Sequence, residues 1–293
     1  MKELKIDSLM KTYSNGVQAL RGVNLTIKEG MFGLLGPNGA GKSTLMRTIS
    51  TLQEADSGTI TFDGIDVTKN KMEIRKRLGF LPQDFDFYPN ISAVDMLNHF
   101  ARLKGVTNPK ERKEIVSYYL NKVNLFEVKK KHLGSYSGGM KQRFGIAQAL
   151  LGEPDLLIVD EPTAGLDPKE RNHFYNILSE LGENRIVILS THIVDDVNEL
   201  CSEFAIIHKG EVLLTNNPIQ SVEDLNDQLW KKLIDKSDMK QYTDQYKVIS
   251  SRLQAGKVQI TVQNSELPDE TFSSKDPDLS DVYFSTIPAD EIV

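Results

Sequence analysis

A nine-residue segment, GPNGAGKST at residues 36–44, constrains the fold of this chain more than any other feature. It matches the pattern G-x-x-x-x-G-K-[ST], in which backbone N–H groups of a glycine-rich loop surround phosphate oxygens. The apolar run MFGLLG precedes it and predicts a short strand, and apolar residues at helical spacing follow it. The segment therefore predicts an α/β fold with a nucleotide-phosphate site where a strand meets a helix.

The residues of this loop have separate expected roles. Gly39 and Gly41 permit backbone conformations that other residues rarely adopt. Lys42 is placed to reach the β- and γ-phosphates, and the Ser43 hydroxyl is placed to bind Mg²⁺. An ordinary glycine-rich turn is the alternative, but the flanking strand and helix disfavour it. We predict that the nucleotide is held by all nine residues, namely Gly36, Pro37, Asn38, Gly39, Ala40, Gly41, Lys42, Ser43 and Thr44.

Two adjacent carboxylates end a second apolar run, LLIVDEP. The run is typical of a parallel strand that is covered on both faces. Asp160 is placed to hold the Mg²⁺ shell, and Glu161 is placed to polarise an attacking water. A strand that simply runs into an acidic loop is the alternative, but buried adjacent carboxylates are costly unless a cation or hydrogen bonds compensate. With the phosphate loop, this motif predicts a nucleotide hydrolase.

A serine and two glycines, Ser137, Gly138 and Gly139, stand where another helical pattern begins. A helix N-terminus carries unpaired N–H groups and a partial positive charge, so it can bind a phosphate. Glycines let the phosphate approach the backbone, and the serine adds a hydroxyl donor. Since the first loop already surrounds its own nucleotide, this second site is best explained as one that serves an ATP bound to another subunit.

These three motifs together resemble the ATP-binding cassette (ABC) family. Residues 136–140, YSGGM, are similar to its signature sequence, and the other two motifs are similar to its Walker A and Walker B elements. The resemblance covers about residues 1–218. It implies a P-loop NTPase with a mixed core sheet, an antiparallel β subdomain and an α-helical subdomain. It also implies a head-to-tail homodimer, or a paired cassette, with two ATP molecules at the interface.

Further positions acquire roles through the resemblance. Tyr13 matches the aromatic residue that stacks on adenine. Gln83, in LPQ, matches the glutamine that senses Mg²⁺ and water and contacts the membrane partner. Asp167, ending AGLD, matches the loop that crosses the dimer interface, and His192 matches the switch histidine at the γ-phosphate. The implied catalytic residues are Glu161, His192, Lys42 and Gln83, and the implied Mg²⁺ ligands are Ser43, Gln83 and Asp160.

Each of these single residues also has a plainer interpretation. Tyr13 could fill the core or the surface, Gln83 could be an ordinary loop residue, and Asp167 before Pro168 could be an N-cap. One position departs from the family pattern, because Met140 replaces the usual signature glutamine. Methionine cannot make the same polar contacts to the opposing nucleotide, whereas the serine and both glycines keep the phosphate contact.

We predict two domains, a cassette at residues 1–218, with its helical subdomain at about 84–150, and a C-terminal accessory domain at 219–293. In the second domain, VEDLNDQLWKKLI is typical of a helix, and two alternating runs around Ala255-Gly256 predict a hairpin. The segment DLSDVYFSTI predicts a short amphipathic helix. The accessory domain is therefore expected to be small and α+β.

Charge and composition limit the classes of partner and the cellular location that we expect. The net charge is −6, and 14 acidic but only 8 basic residues follow position 221, so the earlier part of the chain is neutral. A basic footprint for nucleic acid is absent. The single cysteine, Cys201, is compatible with a reducing cytosol. No apolar run approaches the roughly 20 residues needed to cross a bilayer. We expect a cytoplasmic protein, peripheral on the inner face of the cell membrane.

Two classes of function remain open. The helical block after Gln83 fits a subdomain that receives a membrane permease, and DPDLSDVYFSTI resembles the C-terminal element of ABC-2 type exporter cassettes. This favours the ATP-hydrolysing subunit of an exporter. The alternative is a soluble ABC ATPase that remodels a protein or nucleic acid without a permease. A third, weaker alternative is a nucleotide-gated regulatory module with little hydrolysis.

Overall fold

The computed structural model describes residues 2–288. Its centre is a six-stranded sheet in the order β10-β9-β3-β8-β7-β6, in which β10 alone runs antiparallel to its neighbour. The predicted mixed core sheet is therefore confirmed. The strands of this sheet are β3 (Gly30–Leu35), β6 (Leu78–Leu81), β7 (Leu156–Asp160), β8 (Ile186–Thr191), β9 (Glu203–His208) and β10 (Glu211–Asn216).

The continuous apolar runs became the buried strands of this sheet. All five residues of β7 and all six of β8 are buried. Alternate side chains enter opposite cores: Leu157 and Val159 pack with the helices, whereas Leu156 and Ile158 pack beneath the antiparallel sheet. Burial on both faces is the usual environment of parallel strands, and it fixes the register of the strand ends that bear Asp160 and Thr191.

The antiparallel subdomain is a four-stranded sheet in the order β2-β1-β4-β5. Its first two strands, β1 and β2, pair antiparallel on either side of a turn at residues 14–16. This sheet covers α1 and one face of the core sheet. Its strands and the neighbouring helices are β1 (Glu3–Thr12), β2 (Gln18–Lys28), β4 (Ser57–Phe62), β5 (Ile65–Asp66), α1 (Lys42–Ile49) and α2 (Lys71–Arg77).

The helical subdomain contains α3 (Ala93–Leu103), α4 (Pro109–Lys122) and α5 (Gly138–Ala149), with 3₁₀ turns at 126–128 and 133–135. Each helix begins at a side-chain cap, which is Ser92, Asn108 and Ser137 respectively. The cap oxygen accepts a bond from a first-turn N–H that has no partner within the helix. The core then continues through α6 (Pro168–Ser179) and α7 (Val194–Leu200).

The C-terminal part differs from its prediction at one element. A helix was expected over VEDLNDQLWKKLI, but α8 (Pro218–Glu223) ends early and β11 (Leu229–Ile234) follows a turn. The helix prediction was wrong because β11 pairs with β13 (Lys257–Gln263) over six residues, and this tertiary pairing overrides the local apolar spacing.

The predicted hairpin around Ala255-Gly256 is confirmed by β12 (Lys247–Gln254) and β13. These strands form a sheet in the order β12-β13-β11-β14, with β14 at Ser273–Ser274. A short helix, α9 (Met239–Gln245), precedes the hairpin. The predicted terminal helix is α10 (Leu279–Thr286), which begins with a capping box at Asp278 and Asp281. Cys201 is buried as a free thiol. None of the helices among residues 2–288 combines the length and apolarity needed to cross a membrane.

Candidate nucleotide site

The glycine-rich loop borders an open cavity of about 690 Å³. Leu35 ends β3, residues 36–41 turn, and Lys42 begins α1, as the motif predicts. The N-terminus of α1 therefore points into a concave surface, the arrangement that favours phosphate. Described residues lining the cavity come from both sheets and the loop: Tyr13, Val17, Gln18, Ala19, Arg21, Asn38, Gly39, Gly41, Lys42, Ser43, Thr44, Gln83, Glu161 and Lys209.

Two glycines of the loop cannot be replaced without moving backbone. Gly41 has φ of 107°, and a Cβ there would lie 2.4 Å from the carbonyl oxygen of Ala19. A Cβ on Gly36 would lie 2.2 Å from the carbonyl oxygen of Ile207. The loop is thus clamped between β2 and β9, which holds its N–H groups in a fixed array.

Three of the sequence-predicted residues contact the carboxylate of a fourth, Glu161. The Lys42 ammonium lies 3.2 Å from Glu161 Oε1. Gln83 Nε2 donates to Glu161 Oε2 at 3.2 Å, and His192 Nδ1 lies 3.1 Å from the same oxygen. Lys42 and Glu161 are almost fully buried, at 4% and 6% side-chain exposure, so this ion pair is poorly screened by water.

Glu161 is held in an unusual backbone conformation, with φ of 47°. Its N–H donates to the carbonyl oxygen of Ser190 at 2.9 Å, which ties the end of β7 to the end of β8. A non-glycine residue at positive φ persists only where the surrounding structure holds it there, and such residues concentrate at functional sites.

Asp160 lies behind Glu161 and faces the start of α1. Ser190 Oγ donates to Asp160 Oδ1 at 2.7 Å, and the Ser43 hydroxyl also hydrogen-bonds this carboxylate. Burial raises the pKa of Asp160, and these two hydrogen bonds only partly oppose the effect. The contact with Ser43 joins two of the residues predicted to hold Mg²⁺.

A divalent cation at this site would need oxygens from more than acidic side chains. Across residues 2–288, no group of three His, Cys, Asp or Glu side chains could hold a metal ion by itself. Ser43, Asp160 and Gln83 offer a hydroxyl, a carboxylate and an amide beside the phosphate loop. Such hard oxygen donors fit Mg²⁺, which is usually bound through one or two carboxylates and completes its shell largely with phosphate and water oxygens.

Tyr13 forms part of the opposite wall of the cavity. Its hydroxyl is 3.0 Å from Thr44 Oγ1 and donates to Gln53 Oε1 at 3.1 Å, while the side chain remains 38% exposed. The half-exposed ring is anchored at its far end to α1. A flat aromatic surface is thereby presented beside the phosphate loop.

Two cationic residues that line the cavity, Arg21 and Lys209, were not predicted from the sequence. Arg21 N donates to the carbonyl oxygen of Gly210, and Gly210 N donates to that of Ala40. These bonds bring β2 and the turn between β9 and β10 against the phosphate loop. No local pattern marks either residue, because only the pairing of distant segments places them here.

Ser137, Gly138 and Gly139 lie elsewhere on the molecule. None of the described residues that line the cavity comes from this corner. Ser137 accepts a bond from Met140 N at 3.2 Å, and both Ser137 and Gly138 are exposed. Gly139 is buried against the Glu170 carboxylate, which pairs with Arg143. The corner is therefore an exposed helix N-terminus that its own chain's cavity does not include.

Asp167 is the N-cap of α6, which is the plainer of the two roles suggested by the sequence. Its side chain caps α6 by accepting a bond from Glu170 N at 2.8 Å. The capped helix in turn holds Glu170 beside Gly139. The segment between Glu161 and α6 is thereby linked to the start of α5.

This fold, with a phosphate loop at the start of α1 and the exposed Ser137 and Gly138 at the start of α5, is that of the ATP-binding subunit of a transporter. The family model described as "ABC transporter" matches residues 20–164. This chain belongs to the ABC transporter ATP-binding proteins, which are ATPases.

Two relatives are from Bacillus subtilis (strain 168). The linearmycin resistance ATP-binding protein LnrL is 38% identical, over 72% of this chain and 68% of that protein. The ABC transporter ATP-binding protein NatA is 36% identical, over 74% of this chain and 92% of that protein. A dimeric structure of the ATP-binding cassette MJ0796, in a post-hydrolysis state with ADP and Pi, superposes with a TM-score of 0.67. It is 28% identical and covers 73% of this chain and 98% of its own.

Proposed function

We propose that this chain hydrolyses ATP as one half of a head-to-tail pair and thereby drives a separate membrane permease that exports its substrate. The observation that carries the proposal is the division of the site. Lys42, Gln83 and His192 all contact Glu161, which lines the cavity, while Ser137 and Gly138 are exposed on another part of the same molecule. Two copies facing in opposite directions would bring each corner to the other's cavity.

The geometry gives each residue a step in hydrolysis. A triphosphate in the loop competes with Glu161 and with the carbonyls of Gly36 and Pro37 for the Lys42 ammonium. Glu161 Oε2 then accepts a hydrogen bond from the attacking water and polarises it. His192 and Lys42 stabilise the charge that develops on the phosphoryl oxygens. When bound, Mg²⁺ would be held by Ser43, Asp160 and Gln83, and it would neutralise phosphate charge.

The dimer is supported by the similarity to a dimeric cassette and by the open surface at Gly138. The MJ0796 cassette, with a similar fold, is dimeric with ADP and Pi. In this chain a Cβ on Gly138 would meet nothing within 4 Å, so its approach face is open. An open backbone at a helix N-terminus suits a phosphate supplied from outside the chain.

The dimer is tested with two substitutions. Glu161→Gln removes the carboxylate that polarises water, so ATP should hold the pair closed, and light scattering after gel filtration should show an ATP-dependent dimer. Gly138→Asp places a negative charge at the exposed corner at the start of α5. Aspartate in the first turn suits the helix dipole, so folding is preserved, but the charge repels the partner's γ-phosphate.

We expect the double variant with Glu161→Gln and Gly138→Asp to bind ATP as tightly as Glu161→Gln does. Unlike Glu161→Gln, the double variant should remain a monomer when ATP is bound. A double variant that still dimerises with ATP would overturn the head-to-tail assignment. Glu161→Gln with wild-type turnover would overturn the role of Glu161.

A second cavity, of about 760 Å³, is the proposed docking site for the permease. It lies between α2 and α3 and has exposed apolar side chains on its walls, Met72 at 70% and Leu103 at 71% exposure. The basic residues Arg75, Lys76 and Lys104 also line it. We infer that it receives a short amphipathic helix of the permease that has acidic residues beside its apolar face.

Export is supported by the relatives. LnrL is named as a resistance protein, and resistance by an ATP-driven transporter is explained by removal of the toxic compound. The chain is then located on the cytoplasmic side of the membrane, where ATP is present.

Co-purification from membranes tests the permease. The wild-type chain should retain an integral membrane subunit, and Leu103→Asp should lose it. Leu253→Asp is the matched control, because Leu253 is also exposed, at 64%, but lies on β12 of the C-terminal sheet. Retention of soluble proteins or nucleic acid, with no membrane subunit, would instead identify a remodelling ATPase. Equal retention by Leu103→Asp and Leu253→Asp would overturn the groove assignment.

A further inference from the structure

A fully buried carboxylate outside the cavity joins the two loops that bear Glu161 and His192. Asp196, in the first turn of α7, has no exposed surface. Three hydroxyls donate to it: Tyr175 to Oδ1 at 2.5 Å, and Thr163 and Thr191 to Oδ2, each at 2.6 Å.

The two threonines have particular places in the sequence. Thr163 follows Glu161 by two residues, and Thr191 immediately precedes His192. Thr191 Oγ1 also accepts a bond from Ile193 N at 2.9 Å, so the hydroxyl fixes the backbone on both sides of the histidine. One oxygen of Asp196 therefore holds the segment after β7 and the segment after β8 at a common point.

We propose that Asp196 is a positioning residue for ATP hydrolysis, which holds His192 against Glu161 by binding Thr163 and Thr191 at once. Neither Asp196 nor its three hydrogen-bond donors line the cavity, so it acts through the two threonines. Its effect is to keep His192 Nδ1 within hydrogen-bond distance of Glu161 Oε2, at 3.1 Å.

Burial makes this link stiff. A carboxylate taken out of water must keep its hydrogen bonds, since an unpaired buried charge is strongly unfavourable. Both threonines are also buried, each at 1% exposure, so water cannot replace a lost donor. The Glu161 backbone, at positive φ, depends on its surroundings to remain in place. Loss of either threonine hydroxyl thus frees a loop that bears a reacting group.

The third donor provides a control within the same network. Tyr175 belongs to α6 and is not adjacent to any residue placed in the site. Burial, together with its hydrogen bond to Asp196, raises the pKa of the Tyr175 hydroxyl, so the group is a neutral donor at physiological pH. Tyr175→Phe removes one bond to Asp196 but leaves the bridge between the two threonines.

The experiment compares kcat and KM for ATP in the full chain, together with the free energy of unfolding. Thr191→Val keeps the side-chain shape and removes the hydroxyl, and Thr191→Ser keeps the hydroxyl. A misplacement of about 1 Å can cost on the order of 100-fold in rate. We therefore expect Thr191→Val to lower kcat between about 10-fold and 100-fold with KM little changed. Thr191→Ser should restore turnover, and Tyr175→Phe should affect stability alone.

A double-mutant cycle with His192→Ala identifies the route of the effect. If Thr191 and Asp196 act through His192, then Thr191→Val causes no further loss of kcat in the His192→Ala chain. Radiolabelled ATP keeps these slow rates measurable. An equal loss in both backgrounds, or a loss of stability with kcat unchanged, would overturn the proposal. Asp196→Asn repeats the test by changing the acceptor of the Thr191 hydroxyl instead of the hydroxyl itself. Wild-type turnover in the same series separates a failure of this inference from a failure of the proposed hydrolysis.

Discussion

At the scale of single residues, the site is built around charges that constrain one another. Lys42 is bound by Glu161 and by two loop carbonyls, and Glu161 is in turn contacted by Gln83 and His192. A buried charge with this many partners is fixed in position before a nucleotide arrives. Preorganised groups of this kind need little rearrangement as charge develops on a phosphoryl group. Substitutions here are therefore expected to change function more than stability.

The ring of Tyr13 and its hydroxyl can be separated by substitution. Tyr13→Phe loses the contacts with Thr44 and Gln53 but keeps the aromatic face. If that face stacks on adenine, Tyr13→Phe should bind ATP nearly as well as wild type. Tyr13→Ala should bind more weakly by about 1–3 kcal/mol, the usual value of base–aromatic stacking. Titration calorimetry in a Glu161→Gln background measures both. Equal losses in the two variants would show that the hydroxyl, not the ring, matters.

Asp160 gives a pH dependence whose sign follows from its raised pKa. The folded state binds this proton more tightly than the unfolded chain does. Its stabilising contribution is thus complete below the unfolded pKa, about 4, and is lost as the pH rises through the raised folded value. Asp160→Asn cannot ionise and should be at least as stable as wild type at neutral pH. The free energy of unfolding of wild type, relative to that of Asp160→Asn, should then rise as the pH falls from about 7 to about 4.

A control of opposite sign is available on the surface. Hydrogen bonding by Thr68 lowers the pKa of Asp66 to about 2. Its contribution is present above the unfolded value of 3.8 and is lost as the pH falls through about 2. Wild type should therefore lose stability relative to Asp66→Asn in acid. Urea unfolding over this pH range checks both pairs, and slopes of the same sign for Asp160 and Asp66 would contradict the assignment.

At the scale of elements, the two adjacent glycines at the start of α5 lie in different environments. A Cβ on Gly138 meets open space, whereas one on Gly139 would lie 2.5 Å from Glu170 Oε2. Glu170 cannot move away freely, because it pairs with Arg143. Gly139→Ala should therefore lower the free energy of unfolding by about 1–3 kcal/mol, the usual cost of overpacking. Gly138→Ala should leave it unchanged or raise it slightly, since alanine favours a helix. Urea unfolding of both variants decides the matter, and similar losses would contradict it.

The elements also show how far sequence patterns reach. The loop at 36–44, the buried strands β7 and β8 and the hairpins were predictable because each depends on local residues alone. The strand β11 was not, because Val222, Leu225, Leu229 and Leu233 repeat at helical spacing while the pairing with β13 is remote in sequence. Arg21 and Lys209 were missed for the same reason. The link at Asp196 needed the structure too, since its three donors come from three separate segments.

At the scale of the whole molecule, the C-terminal part is attached to the rest through shared core. Leu229, Ile249, Leu279 and Val282 belong to the hydrophobic cluster that also contains the inner face of the core sheet. The other face of the C-terminal sheet has a cluster of its own, with Ile260 fully buried in it. The chain therefore enters a different sheet after residue 218, while the hydrophobic packing continues across that position.

The two clusters make different predictions for matched core truncations. Leu279→Ala and Ile260→Ala each remove a buried aliphatic side chain, at a cost of about 2–5 kcal/mol. The single tryptophan, Trp230, lies on β11 and packs in the Ile260 cluster, so its fluorescence reports the C-terminal sheet. Binding of a fluorescent ATP analogue reports the cassette. Because Leu279 packs in the shared cluster, its truncation should shift the urea midpoints of both probes. Ile260→Ala should shift the Trp230 midpoint further than the nucleotide-binding midpoint. If Leu279→Ala moved only the tryptophan signal, α10 would belong energetically to an independent C-terminal domain, and the shared core would contribute nothing to the stability of the nucleotide site.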